Sequence, residues 1–313
     1  MKILITGVTG FVGRHLARLF LQDNEQLFGI SRNPISENKE LDFPVYRCDI
    51  LDFEAILRII KEIKPDWIFH LAAQSIVPVS WKIPAETIQT NTIGTVNLFE
   101  AVRKAGIRPR IHVSGSSEVY GLVMPDELPI RETNPLRPLS PYAVSKVAQD
   151  MLCYQYHKSY RLPLICTRAF NHTGAGQSDR FVISSFAKQI SRIEAGLSKP
   201  VIKVGNLSSI RDFTDVRDVV RAYRLALTKG EPGEFYNICS GKGRSIQEAL
   251  NMLLKKSKVA IRIIFDSERM RPSDTPCLIG DKTKFLVATG WRTSIPFDRT
   301  LQDTLNYWRK NLD

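Results

Sequence analysis

Cysteine is scarce in this chain and follows no ligand pattern: Cys48, Cys153, Cys166, Cys239 and Cys277 are odd in number and nowhere spaced as CxxC. That argues against a disulfide framework or a zinc site, so the five read as reduced, mostly buried thiols and no metal is expected. No uninterrupted apolar run is long enough to span a bilayer. The short run at the start is broken by Gly7, Gly10 and Gly13 before it could form a secretory core, so cytoplasmic residence without a membrane partner is the expectation. Long basic blocks are missing too. The formal net charge is +12, yet no Lys/Arg block exceeds a pair such as Lys255-Lys256, which favours an anionic small molecule over nucleic acid as the partner. Neither an internal repeat nor a low-complexity linker divides the chain.

What is present is an ordinary globular composition, 43% hydrophobic and 24% charged, over 313 residues, enough for one large core or two moderate ones sharing an interface. Residues 2–6 are β-formers, followed by a glycine-rich turn and an amphipathic stretch over 13–21, which reads as strand, turn, helix. The unit recurs as a strand over 26–30, a helix over 53–63, a strand over 67–71, a helix over 92–105 and a strand over 110–114. A long helix over 142–160 follows Pro135, Pro138 and Pro141 and leads into a strand over 164–169. Such alternation predicts a parallel sheet covered on both faces. After Asn171 the pattern loosens into helices over 182–195, 216–227 and 245–254 and a strand over 235–238, which predicts a smaller unit whose chain returns once to the sheet.

Between the first strand and helix lies Gly7-Val8-Thr9-Gly10-Phe11-Val12-Gly13. Glycines at this GxxGxxG spacing permit a tight turn, close backbone approach to a pyrophosphate and close packing of helix on strand, while the helix start offers free N–H groups to phosphate. The second strand ends in Ser31-Arg32 rather than in the acid that binds an adenosine ribose hydroxyl. A hydroxyl followed by a guanidinium suits a 2'-phosphate, so NADPH is the expected cofactor, with NADH as a lesser one; the alternative is an Arg32 that points to solvent. Asp49-Ile50, after a third strand, could hold the adenine edge.

Tyr142-Ala143-Val144-Ser145-Lys146 places a phenol and an ammonium on one helix face, where the ammonium is expected to lower the phenol pKa for proton transfer. Ser114-Gly115-Ser116-Ser117-Glu118-Val119-Tyr120-Gly121 sets hydroxyls beyond the carboxyl end of a strand, where open α/β sheets bind ligands. Together with the glycine turn, Asp49-Ile50 and His70-Leu71-Ala72-Ala73-Gln74, these segments resemble the extended short-chain dehydrogenase/reductase family over essentially the whole chain. The resemblance implies an α/β, Rossmann-type doubly wound parallel sheet with a smaller C-terminal α/β substrate-binding domain. Residues 1–170 plus about 213–239 would form the first, and 171–212 with 240–313 the second. It also implies a catalytic triad of Ser116, Tyr142 and Lys146, with Ser117 competing for the hydroxyl role and Lys146 also holding the nicotinamide ribose. The nicotinamide-facing loop would be Leu71, Ala72 and Ala73, with Gln74 and Ser75 on the substrate side.

Within that family, Asn171-His172-Thr173-Gly174, Arg180, the segment from Arg211 to Val216, and Arg271-Pro272-Ser273-Asp274 resemble the nucleotide-sugar segments of GDP-mannose 4,6-dehydratases and GDP-4-keto-6-deoxy-D-mannose reductases. Arginines suit a diphosphate, so Asn171, Arg180, Lys188, Arg211, Arg271 and Asp274 are candidate contacts for a GDP-sugar, alongside Ser117 and Glu118. Ser116-Ser117-Glu118 lacks the Thr-Asp-Glu or Thr-Ser-Glu of related dehydratases, which favours the reductase: hydride to a 4-keto group, giving GDP-6-deoxy-D-mannose (GDP-D-rhamnose). Glu118 keeps a dehydratase open, either as a general base or as a carboxylate that bonds backbone. An NAD-dependent UDP-sugar 4-epimerase would be expected to carry the missing acid, and a non-catalytic redox regulator to lose Tyr or Lys. A homodimer through the helices over 92–105 and 142–160 is implied as well, with Val96, Phe99, Met151 and Tyr154 as candidate contacts.

Overall fold

The computed structural model describes residues 1–23, 25–32, 42–269 and 275–312. Its first half alternates strand and helix: β1 (Lys2–Thr6), α1 (Phe11–Leu21), β2 (Gln26–Ser31), β3 (Val45–Arg47), α2 (Phe53–Ile63) and β4 (Trp67–His70). Then come α3 (Val77–Lys82), α4 (Pro84–Ile88), α5 (Gly94–Lys104), β5 (Arg110–Ser116), α6 (Pro141–Tyr160) and β6 (Leu164–Ala169). The second half runs β7 (Asn171–Thr173), α7 (Val182–Glu194), β8 (Val201–Val204), β9 (Ile210–Asp215), α8 (Val216–Lys229), β10 (Phe235–Ile238), β11 (Gly243–Ser245) and α9 (Ile246–Leu254). It ends with β12 (Arg262–Phe265), β13 (Cys277–Leu278), α10 (Thr283–Thr289) and α11 (Phe297–Lys310).

Local chemistry accounts for the elements. In α2, Ile56, Ile59, Ile60 and Ile63 fall on one buried stripe, the Asp52 carboxylate accepts the Ala55 N–H at 3.0 Å as an N-cap, and Lys64 ends the helix in a left-handed turn. In α6, Ser140 caps the Ala143 N–H at 3.1 Å, Pro141 occupies the first turn, and Arg161 closes the helix with φ 58°.

Among the described residues seven strands form one parallel sheet in the order β10-β6-β5-β4-β1-β2-β3. The chain winds outward from β1 through β2 and β3, then crosses back to β4 on the other side of β1. Strand order therefore reverses at β1, opening a crevice at the carboxyl ends of β1 and β4. One face is covered by α1 and α8, with Leu16, Phe20, Val219 and Tyr223 packed together beside Phe285 and Trp291. The other is covered by α2, α5 and α6. This is the Rossmann-type doubly wound arrangement that the alternation predicted. A second small sheet joins β7, β9, β11 and β13, and β8 pairs with β12; α7, α9 and α11 bury Phe186, Ile190, Leu250, Leu301 and Leu305 against them.

Three differences from expectation have physical causes. The helix expected over 92–105 begins at Gly94, because residues 89–93 widen into a π-type turn. Gly94 permits that approach, since a Cβ there would lie 2.6 Å from the Ile50 Cγ2. Strand β9 escaped the pattern because Arg211, Asp212 and Asp215 are charged yet buried; Asp212 is satisfied by the backbone N–H groups of Ser240 and Gly241, each at 2.8 Å. Finally, Phe99 is fully buried with its ring 5.1 Å from that of Tyr156, so it belongs to the core and is not available as a dimer contact.

Candidate active site

The crevice holds a cavity of about 450 Å³ reached by the glycine turn, the ends of β2, β4 and β5, the start of α6 and the segment after β6. Gly7 adopts φ 71°, and a Cβ there would meet the Ala72 nitrogen at 2.9 Å; at Gly13 it would meet the Gly7 carbonyl oxygen at 2.5 Å. These are cradle glycines, needed for close approach of backbone to backbone. Gly10 sits at the N-cap of α1 with no side chain to cap the first N–H groups, which leaves them for a phosphate. Thr9, Phe11 and Val12 complete the rim. The Thr9 and Ser31 hydroxyls bond each other at 2.8 Å, and Arg32, largely exposed, stands 4.0 Å from Glu86 across the mouth. Asp49 accepts the Leu51 N–H at 2.9 Å, and the Ile50 carbonyl is held by Asn97 at 3.1 Å. With cradle, free N–H groups and a guanidinium in this order, the site fits a dinucleotide carrying a 2'-phosphate.

Strand β5 runs two residues past its expected end, so Ser116 is its last residue and lies 8% exposed against α6. The Ser116 hydroxyl accepts the Glu118 N–H at 3.2 Å and stands beside the Tyr142 phenol. Lys146 donates to the Ser114 carbonyl at 2.8 Å and to Gln149 Oε1 at 2.8 Å, with its nitrogen 5.8 Å from the Tyr142 ring centre. Burial pushes Tyr142 well above its usual value; the Ser116 hydroxyl pulls it back in part, and the Glu118 charge raises it further. The net direction is upward, because in this buried site the desolvation of a phenolate outweighs the groups that favour it. Burial takes Lys146 itself down to about 8. The resting pair is thus a neutral phenol, held as a proton donor, beside a lysine that loses its charge just above neutrality.

On the far wall, Ser75, Ser117, Glu118, Asn171 and Arg180 face the cavity together with Leu71, Ala72 and Ala73. Gln74 also lines it, but its amide is committed locally, donating to Thr87 at 3.0 Å and accepting the Ile76 N–H at 2.5 Å. Among the described residues that line the cavity, Lys188 and Arg211 do not figure. Lys188 pairs with Asp179 at 2.8 Å and lies 4.9 Å above the Trp308 ring, and Arg211 is buried in β9, donating to the Ile210 carbonyl at 2.9 Å. Arg271 and Asp274 lie outside the described residues.

A family model for GDP-mannose 4,6 dehydratase matches residues 4–304 of this chain. The chain belongs to that family. Among its relatives in the GDP-mannose 4,6-dehydratase family, the GDP-6-deoxy-D-mannose reductase of Pseudomonas aeruginosa is 35% identical over 311 residues, 99% of this chain and 98% of that one. The GDP-mannose 4,6-dehydratase of Yersinia enterocolitica is 31% identical over 334 residues, 93% of this chain and 89% of its own. The solved structure of RMD from Pseudomonas aeruginosa complexed with NADPH superposes with a TM-score of 0.88 at 35% identity, covering 99% of both chains. Several residues that shape this family member's cavity were not singled out from sequence. His172 and Gln177 line it, and the His172 ring stacks parallel on Phe11 at 6.4 Å, joining the phosphate turn to the strand after the sheet. A histidine beside Asn171 was visible; that its ring would meet Phe11 was not, since 161 residues separate them.

Proposed function

We propose that this chain reduces the 4-keto group of GDP-4-keto-6-deoxy-D-mannose with NADPH to give GDP-6-deoxy-D-mannose (GDP-D-rhamnose), NADH serving less well. The observation that carries the reading is the convergence of Ser116, Tyr142 and Lys146 on the cavity bounded by the glycine turn. NADPH, when bound, supplies the hydride. Tyr142 then gives its proton to the oxygen that becomes an alkoxide at C-4, Ser116 donates a hydrogen bond to that oxygen, and Lys146 lies behind the phenol and toward the ribose. The turn from Gly7 to Gly13 would hold the pyrophosphate, Ser31 and Arg32 the 2'-phosphate, Asp49 and Ile50 the adenine, and Leu71 to Ala73 the nicotinamide. Ser75, Ser117, Glu118, Asn171 and Arg180 would meet the sugar nucleotide.

Similarity favours reduction over dehydration: the reductase relative is matched nearly end to end, and the dehydratase relative is longer than what is matched. Dehydration also needs both an acid and a base beside the sugar, and Ser117 is no acid. Glu118, on the same cavity wall, favours the second reading, a GDP-mannose 4,6-dehydratase. Incubation with GDP-4-keto-6-deoxy-D-mannose and NADPH, followed by absorbance and by NMR of the product, should consume one NADPH per sugar. A 4-keto-6-deoxy product from GDP-mannose without added reductant would overturn the reading in favour of the dehydratase.

A homodimer through α5 and α6 completes the proposal, supported by Met151 and Tyr154, which expose about half their surface on α6, beside half-buried Val96 on α5. A monomer by light scattering at working concentration would remove it. Cytoplasmic residence is proposed on the same footing; among the described residues no helix is long and apolar enough to cross a membrane.

A further inference from the structure

Beneath the catalytic helix runs a chain of buried polar side chains that the reaction above does not use. Gln149, 1% exposed, accepts from Lys146 through Oε1 and donates through Nε2 to the Thr95 hydroxyl at 2.7 Å. That orientation of the amide is forced, because an ammonium can only donate. Thr95 has one proton and gives it to the Asn91 carbonyl at 2.6 Å. His70 Nε2, 3.0 Å from the same oxygen, must therefore carry a proton and donate, which leaves His70 Nδ1 to accept the Thr6 hydroxyl at 2.8 Å. Thr6 in turn accepts the Leu71 and Ala72 N–H groups at 3.2 Å each. Every link has one allowed direction. The neutral state this demands of His70 agrees with its burial, which takes it down to about 3.

The chain thus ties Lys146, on one side of the cavity, to the backbone of the Leu71 to Ala73 loop on the other. It also settles where the lysine points. An ammonium has three N–H groups; two are taken by Ser114 and Gln149, and one remains for the cavity. We propose that Gln149 is a positioning residue: by holding one N–H of Lys146 and anchoring through Thr95 to His70 and Thr6, it aims the remaining N–H at the cofactor ribose and keeps the lysine in register with the nicotinamide loop. The inference rests on the reading of Lys146 given above. An amide in the chain transmits orientation but not protons, so Tyr142 is recharged from the cavity side rather than from His70.

The groups around Lys146 are Tyr142, Asp150 and Cys153 on its own helix, Cys166 on β6, His112 on β5 and His70 on β4. Asp150 is paired with Arg168 at 2.8 Å and both histidines are neutral, so Gln149 is the uncharged neighbour whose replacement should move the lysine with a chosen sign. The test is NADPH affinity, measured by direct titration of the full chain from pH 6 to pH 10, with kcat and both KM values alongside. In the wild type, affinity should weaken as pH rises through about 8. Gln149→Leu should weaken NADPH binding about tenfold, the worth of one charge-assisted bond, and move the alkaline limb lower, because the charged form loses an acceptor. Gln149→Glu should move that limb higher, because a carboxylate favours the ammonium. Thr95→Val, which leaves Lys146 untouched and removes only the far anchor, should shift affinity in the same direction as Gln149→Leu by about threefold and serves where the Gln149 variants do not fold. A purely structural role would lower the folded fraction and leave the limb in place. Folded variants whose affinity and limb match the wild type would overturn the proposal. Lys146→Met separates the two readings: if it too binds NADPH normally, the role of Lys146 fails; if it is crippled while the Gln149 and Thr95 variants are not, only the positioning role fails.

Discussion

The two walls of the cavity are built on different principles. The proposed cofactor wall is made from residues at strand ends, fixed by backbone: glycines that admit no Cβ, N–H groups at a helix start, the Thr9–Ser31 hydroxyl pair, and Thr6, which accepts the Leu71 and Ala72 N–H groups. The proposed substrate wall is gathered from segments after β4, β5 and β6 that lie far apart in sequence. Arg180 reaches the cavity; Lys188, eight residues on and also cationic, is spent on Asp179 and Trp308. Backbone approach leaves a signature in spacing, whereas side-chain reach does not.

The seam between the walls is where the largest effect is expected. Tyr142→Phe should lower turnover by at least about a hundredfold, the usual worth of a positioned proton donor, while substrate binding by titration stays close to the wild type. Near-normal turnover would show that the proton comes from elsewhere.

Acid should separate the walls next. His70 on β4 and His112 on β5 are held by burial near pKa 3, against 6.5 in an unfolded chain. Between those values the unfolded chain binds more protons, so stability rises with pH across the window and is lost as pH falls through it. At pH 5 each histidine should cost about 2 kcal/mol relative to neutral pH. Equal urea midpoints at pH 7 and pH 5 would contradict the neutral chain through His70.

A smaller effect is expected at the cofactor mouth. Arg32→Ala should raise the KM for NADPH about tenfold and that for NADH hardly at all, since only the 2'-phosphate gains a charge-assisted bond from it; equal changes would place Arg32 in solvent. Smallest of all, Lys188→Ala should leave the KM for the keto-sugar within about twofold of the wild type, as expected for a surface ion pair, while Arg180→Ala raises it clearly. The reverse order would mean that the substrate wall extends along α7.

The sheet and its helices were legible before any coordinates, and so was the grouping of Ser116, Tyr142 and Lys146 at one cavity, because each rests on a local rule. Period-two and period-3.6 patterns survive where one face is buried, as in α2 with its four isoleucines. Strand β9 was not legible, since its buried charges are satisfied by the Ser240–Gly241 backbone and by Arg217 and Thr300, partners that a one-dimensional pattern does not contain. Helix α11 could have been found from Phe297, Leu301, Leu305 and Trp308 at helical spacing.

By itself the sequence determined the glycine cradle, the Ser31-Arg32 ending of β2, and the presence of Ser116, Tyr142 and Lys146, since spacing along one or two elements fixes those positions. Only the tertiary structure decided their states. The phenol is neutral because the fold buries it; Lys146 points where it does because Ser114 and Gln149 take two of its three N–H groups; and Phe99 and Arg211 are withdrawn from the surface by packing that spans distant elements. Desolvation and hydrogen-bond direction are properties of the surroundings, and the surroundings exist only once the chain has closed on itself.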